Sequence, residues 1–272
     1  MKVAVLGTTG MLGHEVGRFF SEQSGYKTFI SYRNIDLADK LAFNATKFYF
    51  DAMDYRCIER LPDVDYVINC IGCVKQKDYD VRTYMKINAQ FPHFLANACE
   101  KRGMKLIHVT TDCVFSGKRG GYHELDEPDS KDDYGVSKEL GEPMNCMVLR
   151  TSVIGEEIRE NYSLLEWARS QAGKSVKGYT NHIWNGLTNH EYAKVCHKII
   201  KNNWYSNVKR HVFSTTLSKY QMLQAFNSKY NLDLMIEPYE HVEAINRSLS
   251  SVYDLNDKLE ILPFVEMMKE LK

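Results

Sequence analysis

The chain has no excess of charge of either sign. Among its 272 residues, Lys and Arg together number 35, and Asp and Glu together also number 35, so the formal net charge is zero. Without a field of one sign around the whole molecule, nothing attracts a phosphate backbone or an anionic bilayer. We therefore expect no nucleic-acid partner and no binding to a membrane.

Long apolar runs are missing as well. No window approaches the roughly 18 uninterrupted apolar residues that a membrane helix needs. The apolar run at residues 3–6 is too short for the core of a secretory leader. These two absences predict a cytoplasmic protein.

The sequence also lacks a disulfide or metal framework. Its seven cysteines are an odd number and lie scattered in apolar contexts, without the dense spacing of a disulfide scaffold. Cys70 and Cys73 form one CxxC pair, but no second pair and no suitably spaced histidine completes a tetrahedral site. We expect mostly buried, reduced thiols and no metal.

What is present is an ordinary globular composition, with 44% hydrophobic and 26% charged residues. The length leaves room for one large or two modest domains. In the first half, short β-branched runs alternate with helical patterns, which is typical of a parallel sheet with helices on its faces. The predicted strands cover residues 2–6, 28–32, 47–50, 66–69, 105–109 and 147–150.

The helix after the fourth strand has the clearest apolar periodicity, and its apolar stripe is predicted to pack in the core. The stripe consists of Tyr84, Ile87, Phe91, Phe94, Leu95 and Ala98.

The second half of the chain loses this alternation. Residues 151–186 mix Gly, Asn and Tyr loops with one predicted helix at 163–171, a pattern that favours a cover over a site rather than part of a sheet. Further elements are helices at 191–201, 219–228 (capped by Ser218) and 263–271, and strands at 210–213 and 233–237.

A glycine-rich loop at residues 7–13 follows the first strand and opens a helical pattern. Small residues here allow the backbone to approach a pyrophosphate at a helix N-terminus. A tight structural turn is the alternative, because the spacing is GxxGxxG rather than GxGxxG. The position after the first strand favours dinucleotide binding in a Rossmann-type, doubly wound α/β fold. The predicted cofactor residues of this loop are Gly7, Thr9, Gly10, Met11, Leu12 and Gly13.

The end of the second strand should contact the adenosine ribose of such a cofactor. An acidic residue there would select NAD, but this sequence has Ser31 and Arg33. A guanidinium and a hydroxyl suit a 2′-phosphate, which favours NADPH over NADH, although a solvated surface arginine is the simpler alternative. Asp51, just past the third strand, could accept from the adenine amino group or could open a turn.

Tyr134 and Lys138 are spaced at i and i+4, on one face of a predicted helix. A phenol with a pKa near 10 is a poor acid at neutral pH until a neighbouring ammonium stabilises its anion. Upstream, Thr111 ends a predicted strand at the edge of the sheet where open α/β folds hold ligands. Its hydroxyl can hold a carbonyl oxygen beside the phenol.

Together these segments resemble the extended short-chain dehydrogenase/reductases, and within them the dTDP-4-dehydrorhamnose reductases and related nucleotide-sugar reductases. The resemblance runs over nearly the whole chain. It rests on the glycine loop, Asn69 and the segments at 110–117, 134–138, 178–188 and 246–249.

The resemblance implies Thr111, Tyr134 and Lys138 as catalytic residues, with Asn88 behind the lysine. The implied reaction is hydride transfer from the nicotinamide to the C4 ketone of a nucleotide-linked 4-keto-6-deoxyhexose, for glycan assembly. Tyr134 would give the proton, and Lys138 would lower the pKa of the phenol and bind the nicotinamide ribose. The turn of Cys70, Ile71 and Gly72 would line the cofactor.

With no internal repeat and no long linker, the sequence predicts two domains, the second small and interwoven with the first. Residues 1–152 plus about 187–216 would form the NADP-binding domain, and about 153–186 plus 217–272 a smaller, interwoven substrate domain. Trp184 could stack on the substrate or anchor the packing, and Arg247 could clamp a diphosphate or make a surface ion pair. The substrate-side residues are Thr111, Asp112, Cys113, Asn181, Trp184, Asn185 and Arg247.

Several alternatives stay open. Cys113 with His182 could add epimerisation to reduction, because carbons beside a ketone are acidic enough for a Cys/His pair to invert. The substrate could be a UDP-linked 2-acetamido-2,6-dideoxy-4-hexulose instead of a dTDP sugar. The chain could also be an NADP-binding regulatory subunit without turnover, and a homodimer is compatible with the sequence.

Overall fold

The structure is a computed structural model that describes residues 1–77, 79–158 and 162–271. Its first half alternates strands and helices as the sequence predicts. In chain order the elements are β1 (Lys2–Leu6), α1 (Met11–Glu22), β2 (Lys27–Tyr32), α2 (Ile35–Asp39), β3 (Thr46–Tyr49), β4 (Tyr66–Asn69), α3 (Val81–Tyr84), α4 (Phe91–Lys101), β5 (Lys105–Thr111), α5 (Asp133–Leu140) and β6 (Met147–Thr151).

The second half is built from shorter elements. They are β7 (Val153–Ile154), α6 (Leu164–Ser170), β8 (Ser175–Tyr179), β9 (His182–Trp184), β10 (Leu187–Thr188), α7 (Asn189–Lys201), β11 (Lys209–His211), β12 (Leu217–Ser218), α8 (Lys219–Tyr230), β13 (Met235–Tyr239), β14 (Ile245–Asn246), α9 (Leu255–Leu259) and α10 (Phe264–Glu270).

A parallel sheet of seven strands forms the centre, in the order β11-β6-β5-β4-β1-β2-β3. All of its neighbouring strands pair in parallel. This confirms the Rossmann-type α/β fold, and each predicted strand of the sheet appears with small shifts at its ends. The reversal of strand order between β1 and β4 creates the crevice in which such folds hold ligands.

Both faces of the sheet are buried, because successive residues of a strand point to opposite sides. In β1, Val3 and Val5 join one apolar cluster, while Ala4 and Leu6 join the other. Helices α1 and α7 pack together on the first face, and α4 covers the second. The sheet is therefore fixed from both sides, and its carboxyl edge is a rigid platform.

The helical stretch after β4 is not uniform. Between α3 and α4 the chain runs through one segment of π-helix, Met85–Gln90, a wide turn that is rare and often found at functional sites. The predicted stripe is correct for most of its members, but Phe94 is 50% exposed and lies against the ring of Tyr55. The buried stripe of the helix is narrower than predicted, and Phe94 falls outside it.

The prediction that residues 151–186 lie outside any sheet is wrong. Strand β8 pairs in parallel with β13, and β9 pairs with both β12 and β14. The partners of these strands lie far along the chain, so no local alternation of apolar and polar residues predicts them. Their pairing joins the two pieces of the proposed substrate domain, and that division of the chain stays a proposal.

All seven cysteines are free thiols, and five of them are buried. Within the described ranges there is no group of three or more side chains that could hold a metal ion. Likewise, the helices of the described residues are all too short or too polar to cross a membrane.

Candidate active site

The glycine loop joins β1 to α1 in a tight bend. Gly7 has a φ of +84°, which L side chains rarely adopt, and a Cβ on Gly13 would overlap the main-chain oxygen of Gly7. A Cβ on Gly10 would lie 3.5 Å from that oxygen, an ordinary contact. Gly7 and Gly13 are thus required by the turn itself, whereas the turn has room for a Cβ at Gly10.

This loop presents the start of α1 to the sheet edge. Gly10 is the N-cap of α1, no side chain caps the helix, and no acidic residue lies in its first turn. The free N–H groups and the helix dipole at this end attract a phosphate. Thr9, Met11 and Leu12 flank the same opening and are each partly exposed. The residues present fit a dinucleotide pyrophosphate.

Beyond the loop, the end of β2 carries the two residues assigned to the ribose. Ser31 is only 2% exposed, and its hydroxyl accepts a hydrogen bond of 2.8 Å from the N–H of Gly7. Arg33 is exposed and, among the described residues, forms no ion pair. The structure therefore places Ser31 as a brace for the glycine loop and leaves the Arg33 guanidinium exposed.

Asp51 follows β3 and opens a turn. Its Oδ1 accepts a hydrogen bond of 2.9 Å from the N–H of Met53. One of its two carboxylate oxygens is thus engaged in the turn, which is the alternative that the sequence left open for this residue.

The turn after β4 lies beside the predicted lysine. A Cβ on Gly72 would come within 3.5 Å of Asn88 Oδ1 and 3.7 Å of Lys138 Nζ. The N–H of Ile71 donates to Asn69 Oδ1, and the amide of Asn69 pairs with His108 Nδ1 at 3.0 Å. Burial raises the pKa of the Cys70 thiol, so this residue contributes no charge to the turn.

Asn88 lies on the π-helical segment and is 1% exposed. Its Oδ1 accepts from the N–H of Cys73 at 2.8 Å, and its Nδ2 donates to the Cys73 oxygen and to Ser137 Oγ. The side chain thus ties the Gly72 turn to the helix that carries the tyrosine and lysine. Asn88 Oδ1 and Lys138 Nζ both lie within 4 Å of where a Cβ on Gly72 would be.

Helix α5 positions the phenol and the ammonium. Asp132 caps the helix by accepting from the N–H of Gly135 at 2.8 Å. A Cβ on Gly135 would overlap the main-chain oxygen of Cys113, so the first turn of α5 packs directly on the segment that follows β5. The contact brings the Tyr134 phenol to the Thr111 hydroxyl, which partly opposes the rise in the phenol's pKa that burial causes.

Lys138 is 6% exposed, and its Nζ donates a hydrogen bond of 3.0 Å to the main-chain oxygen of Val109. Burial lowers the pKa of its ammonium to about 8, and the charge of Glu142 opposes that shift. The group stays mostly protonated at neutral pH.

The phenol of Tyr134 differs from the sequence-based expectation. Burial raises its pKa above the usual value, the Cys113 thiol raises it further, and Thr111 only partly opposes the shift. Lys138 is not among the largest influences on this pKa, so in the free protein the lowering expected from the lysine does not outweigh burial. The phenol therefore keeps its proton at neutral pH.

Thr111, Asp112 and Cys113 form a short hydrogen-bonded unit at the end of β5. The Thr111 hydroxyl donates to Asp112 Oδ1 at 3.2 Å and accepts from the N–H of Cys113 at 3.1 Å. Burial is the main cause of a raised pKa for the Asp112 carboxyl, and it raises the pKa of the Cys113 thiol to about 12. A thiol with that pKa is protonated at neutral pH and is a weak base.

The side chains of two predicted substrate residues form hydrogen bonds with main-chain groups. Asn181 bonds to both the N–H and the oxygen of His241, and Asn185 bonds in the same way to Leu249. Each amide thereby closes the contact between distant loops. Trp184 packs edge-on against Phe264, with ring centroids 5.4 Å apart, which matches the packing alternative.

The contacts of His182 are with residues other than Cys113. Its ring packs on Tyr179 and His241, and its Nε2 lies 3.2 Å from the Glu243 oxygen. Burial is the first cause of its lowered pKa. Among the described residues, no contact joins His182 to Cys113.

Arg247 does reach the reactive edge. Its Nε donates to the main-chain oxygen of Phe115 at 2.9 Å, and its charge lowers the pKa of the Asp112 carboxyl and of the Cys113 thiol. The sequence missed a second cation here, Lys219, whose charge interacts with both Arg247 and Cys113. Lys219 directly follows the N-cap Ser218, but a cap alone does not indicate a ligand.

The family described as the RmlD substrate binding domain matches residues 1–254. The chain belongs to the RmlD family.

Sequence relatives of this RmlD-family chain include enzymes and a subunit. It is 36% identical over 202 residues to the probable low-salt glycan biosynthesis reductase Agl14 of Haloferax volcanii, covering 66% of this chain and 64% of that protein. A dTDP-4-dehydrorhamnose reductase of Streptomyces griseus is 28% identical over 51% of this chain and 42% of its own length. Methionine adenosyltransferase 2 subunit beta of Danio rerio is 26% identical over 85% of this chain and 74% of its own. The matches thus span less than two thirds of the first two relatives.

A solved structure shares the fold of this family member over its whole length. The dTDP-4-dehydrorhamnose reductase of Bacillus anthracis, in complex with NADP, matches with a TM-score of 0.75 at 19% identity, covering 99% of this chain and 98% of that one.

Proposed function

We propose that the chain is an NADPH-dependent reductase of the C4 ketone of a nucleotide-linked 4-keto-6-deoxyhexose, acting in glycan assembly. Two observations carry the proposal: Lys138 Nζ lies beside the Gly72 turn and bonds to Val109, two residues before Thr111, and Thr111 acts on the phenol of Tyr134. The names of the Haloferax and Streptomyces relatives support the same reaction class.

The residues divide the reaction between them. When bound, the cofactor supplies a hydride to the ketone carbon. Tyr134 gives its proton to the ketone oxygen, and its raised pKa keeps that proton in place until it is needed. Thr111 turns its hydroxyl from Asp112 to the ketone oxygen and polarises the carbonyl. Lys138 supplies a nearby positive charge that stabilises the tyrosinate as it forms.

The cofactor-binding residues proposed from the sequence fit this assignment. The glycine loop holds the pyrophosphate, the turn of Cys70, Ile71 and Gly72 lines the ribose, and Asn88 holds that turn in place. Exposed Arg33 favours a 2′-phosphate and hence NADPH, and the Bacillus anthracis structure with NADP supports that choice. NADH remains the alternative coenzyme.

Simple reduction is favoured over reduction with epimerisation. A base that removes a proton beside the ketone must be unprotonated, but the pKa of Cys113 is raised to about 12. Its proposed partner His182 is engaged by Tyr179, His241 and Glu243 instead.

The likeness to the Danio rerio subunit makes the regulatory role a real competitor. A binding subunit has no chemical need for a threonine, a tyrosine and a lysine together. This chain has Thr111, Tyr134 and Lys138 near the carboxyl edge of the sheet. Turnover separates the two functions.

The deciding experiment is a panel of dTDP- and UDP-linked 4-keto-6-deoxyhexoses that carry a hydroxyl or an acetamido group at C2. Oxidation of NADPH is measured by the loss of its absorbance at about 340 nm. We expect oxidation of NADPH with at least one substrate, and NMR of the product reports its stereochemistry. Binding of NADPH without turnover on any member would favour the regulatory role.

A further inference from the structure

A buried histidine lies behind the turn that follows β4. His108 is on β5, directly opposite Asn69, the last residue of β4, and both side chains are fully buried. Asn69 Nδ2 and His108 Nδ1 are 3.0 Å apart, and Asn69 Oδ1 accepts a hydrogen bond of 3.1 Å from the N–H of Ile71. The histidine is therefore linked to the turn through the asparagine.

These two hydrogen bonds determine where the protons lie. The N–H of Ile71 can only donate, so the amide oxygen of Asn69 faces it and the amide nitrogen faces the ring. His108 Nδ1 must then accept, which leaves the ring proton on Nε2. Burial holds the pKa of His108 well below its usual range, and the charge of Lys138 lowers it further, so the ring is neutral. A neutral ring with a free Nδ1 is the form that holds Asn69 in this orientation.

The turn lies between two parts of the site. On one side, a Cβ on Gly7 of the glycine loop would lie 3.1 Å from Ile71 Cγ1. On the other side, a Cβ on Gly72 would lie 3.7 Å from Lys138 Nζ. A displacement of the turn would therefore change the glycine loop and the surroundings of the lysine together.

We propose that His108 is a positioning residue for the cofactor, because it fixes, through Asn69, the turn that lines the nicotinamide half of NADPH. Without the ring, the buried amide nitrogen of Asn69 loses this hydrogen bond, and the amide is then free to rotate and to release the N–H of Ile71. This inference rests on the proposed function for the role of the turn, but it does not depend on the reduction of any sugar.

The adenosine half of the cofactor provides an internal reference. It is assigned to Arg33 and Asp51, which lie just beyond β2 and β3 and not on this turn. Loss of the histidine should therefore weaken binding of the whole cofactor and leave binding of its adenosine half almost unchanged.

The test compares two replacements of one side chain. His108→Asn keeps an acceptor, because the new Oδ1 takes the place of Nδ1, whereas His108→Leu fills the site and loses the acceptor. If His108 served packing alone, the apolar replacement would be the better one at a buried position. We expect the opposite order, with Kd for NADPH raised about tenfold or more in His108→Leu and mostly restored in His108→Asn.

Fragment binding separates positioning from a general loss of structure. Fluorescence titration measures NADPH, and isothermal titration measures the 2′,5′-bisphosphate of adenosine, which lacks the nicotinamide and its ribose. Kd for this fragment should stay within about threefold of the wild-type value in both variants. In an Asn69→Leu background, His108→Leu should change Kd for NADPH by less than about twofold, because the histidine acts through the asparagine.

NADPH affinity in His108→Leu equal to that of the wild type would overturn the proposal, as would tighter binding by His108→Leu than by His108→Asn. An equal loss of affinity for NADPH and for the fragment would also overturn it, since the effect would then extend to the whole cofactor site. If the loss is selective for NADPH but no 4-keto sugar is reduced, the role of His108 stands and the proposed reaction fails.

Discussion

Lys138 Nζ donates a hydrogen bond of 3.0 Å to the main-chain oxygen of Val109, two residues before Thr111 at the end of β5. The ammonium is therefore fixed to the strand that carries the Thr111 hydroxyl, which we propose is catalytic, as well as to the helix that carries the phenol. Movement of one group relative to the others is restricted, which is the preorganisation that charge stabilisation in a transition state requires.

The pH dependence of the reaction should report this lysine. Burial lowers the pKa of Lys138 to about 8, so the ammonium is present below that pH and is lost as the pH rises through it. We expect kcat/KM, measured with NADPH and the best 4-keto sugar, to fall with increasing pH, with a midpoint near pH 8. Lys138→Arg, which keeps its charge, should remove this limb from the profile, whereas a limb unchanged in that variant would assign it to another group.

Gly10 and Gly13 form a matched pair that separates cofactor binding from folding. Gly13→Ala should destabilise the chain by about 1–3 kcal/mol or more, because the new Cβ overlaps the Gly7 oxygen. Gly10→Ala should cost less than about 1 kcal/mol in stability, while the added methyl at the mouth of the loop raises the Kd for NADPH. Thermal unfolding and fluorescence titration measure the two effects, and equal losses of stability in both variants would contradict the geometry.

Asn88→Ala should destabilise the chain by about 1–3 kcal/mol, because it leaves the buried N–H and oxygen of Cys73 without their partner. The exposed Asn97, bonded to Asn145, provides the control Asn97→Ala, which should change the free energy of unfolding by no more than about 0.5 kcal/mol. Urea unfolding checks both. An Asn88 variant as stable as the control would show that the turn does not depend on this amide.

Arg33 should decide the coenzyme. Arg33→Ala removes the exposed guanidinium assigned to the 2′-phosphate, so KM for NADPH should rise about tenfold or more while KM for NADH changes little. Steady-state kinetics with each coenzyme measures the split. A similar change in both values would reject Arg33 as the group that recognises the 2′-phosphate.

The sequence predicts the central sheet because its signals are local. In β1, a run of apolar residues buried on both faces precedes Gly7 and Gly13, which the turn itself requires, and both features lie within residues 2–13. The spacing of Tyr134 and Lys138 is equally local, since one helical turn brings them to one face. Such patterns need no knowledge of the rest of the chain.

The substrate side could not be predicted in this way, because its contacts join distant segments. Asn181 and Asn185 stand in a polar loop that suggests ligand binding, yet their partners are His241 and Leu249, far along the chain. The sequence gives no signal for Lys219 for the same reason, since only the fold lets its charge interact with that of Arg247. Nor does the sequence reveal the burial that raises the pKa of Tyr134.

The central claim is that the Tyr134 phenol donates the proton to the ketone, and Tyr134→Phe tests it most directly. With the cofactor affinity measured by titration and turnover followed by NADPH absorbance, we expect kcat to fall about 10²- to 10⁴-fold, the usual contribution of a positioned acid. The Kd for NADPH should stay within about threefold of the wild-type value. A phenylalanine variant that binds NADPH and reduces the sugar at a near-normal rate would contradict the account.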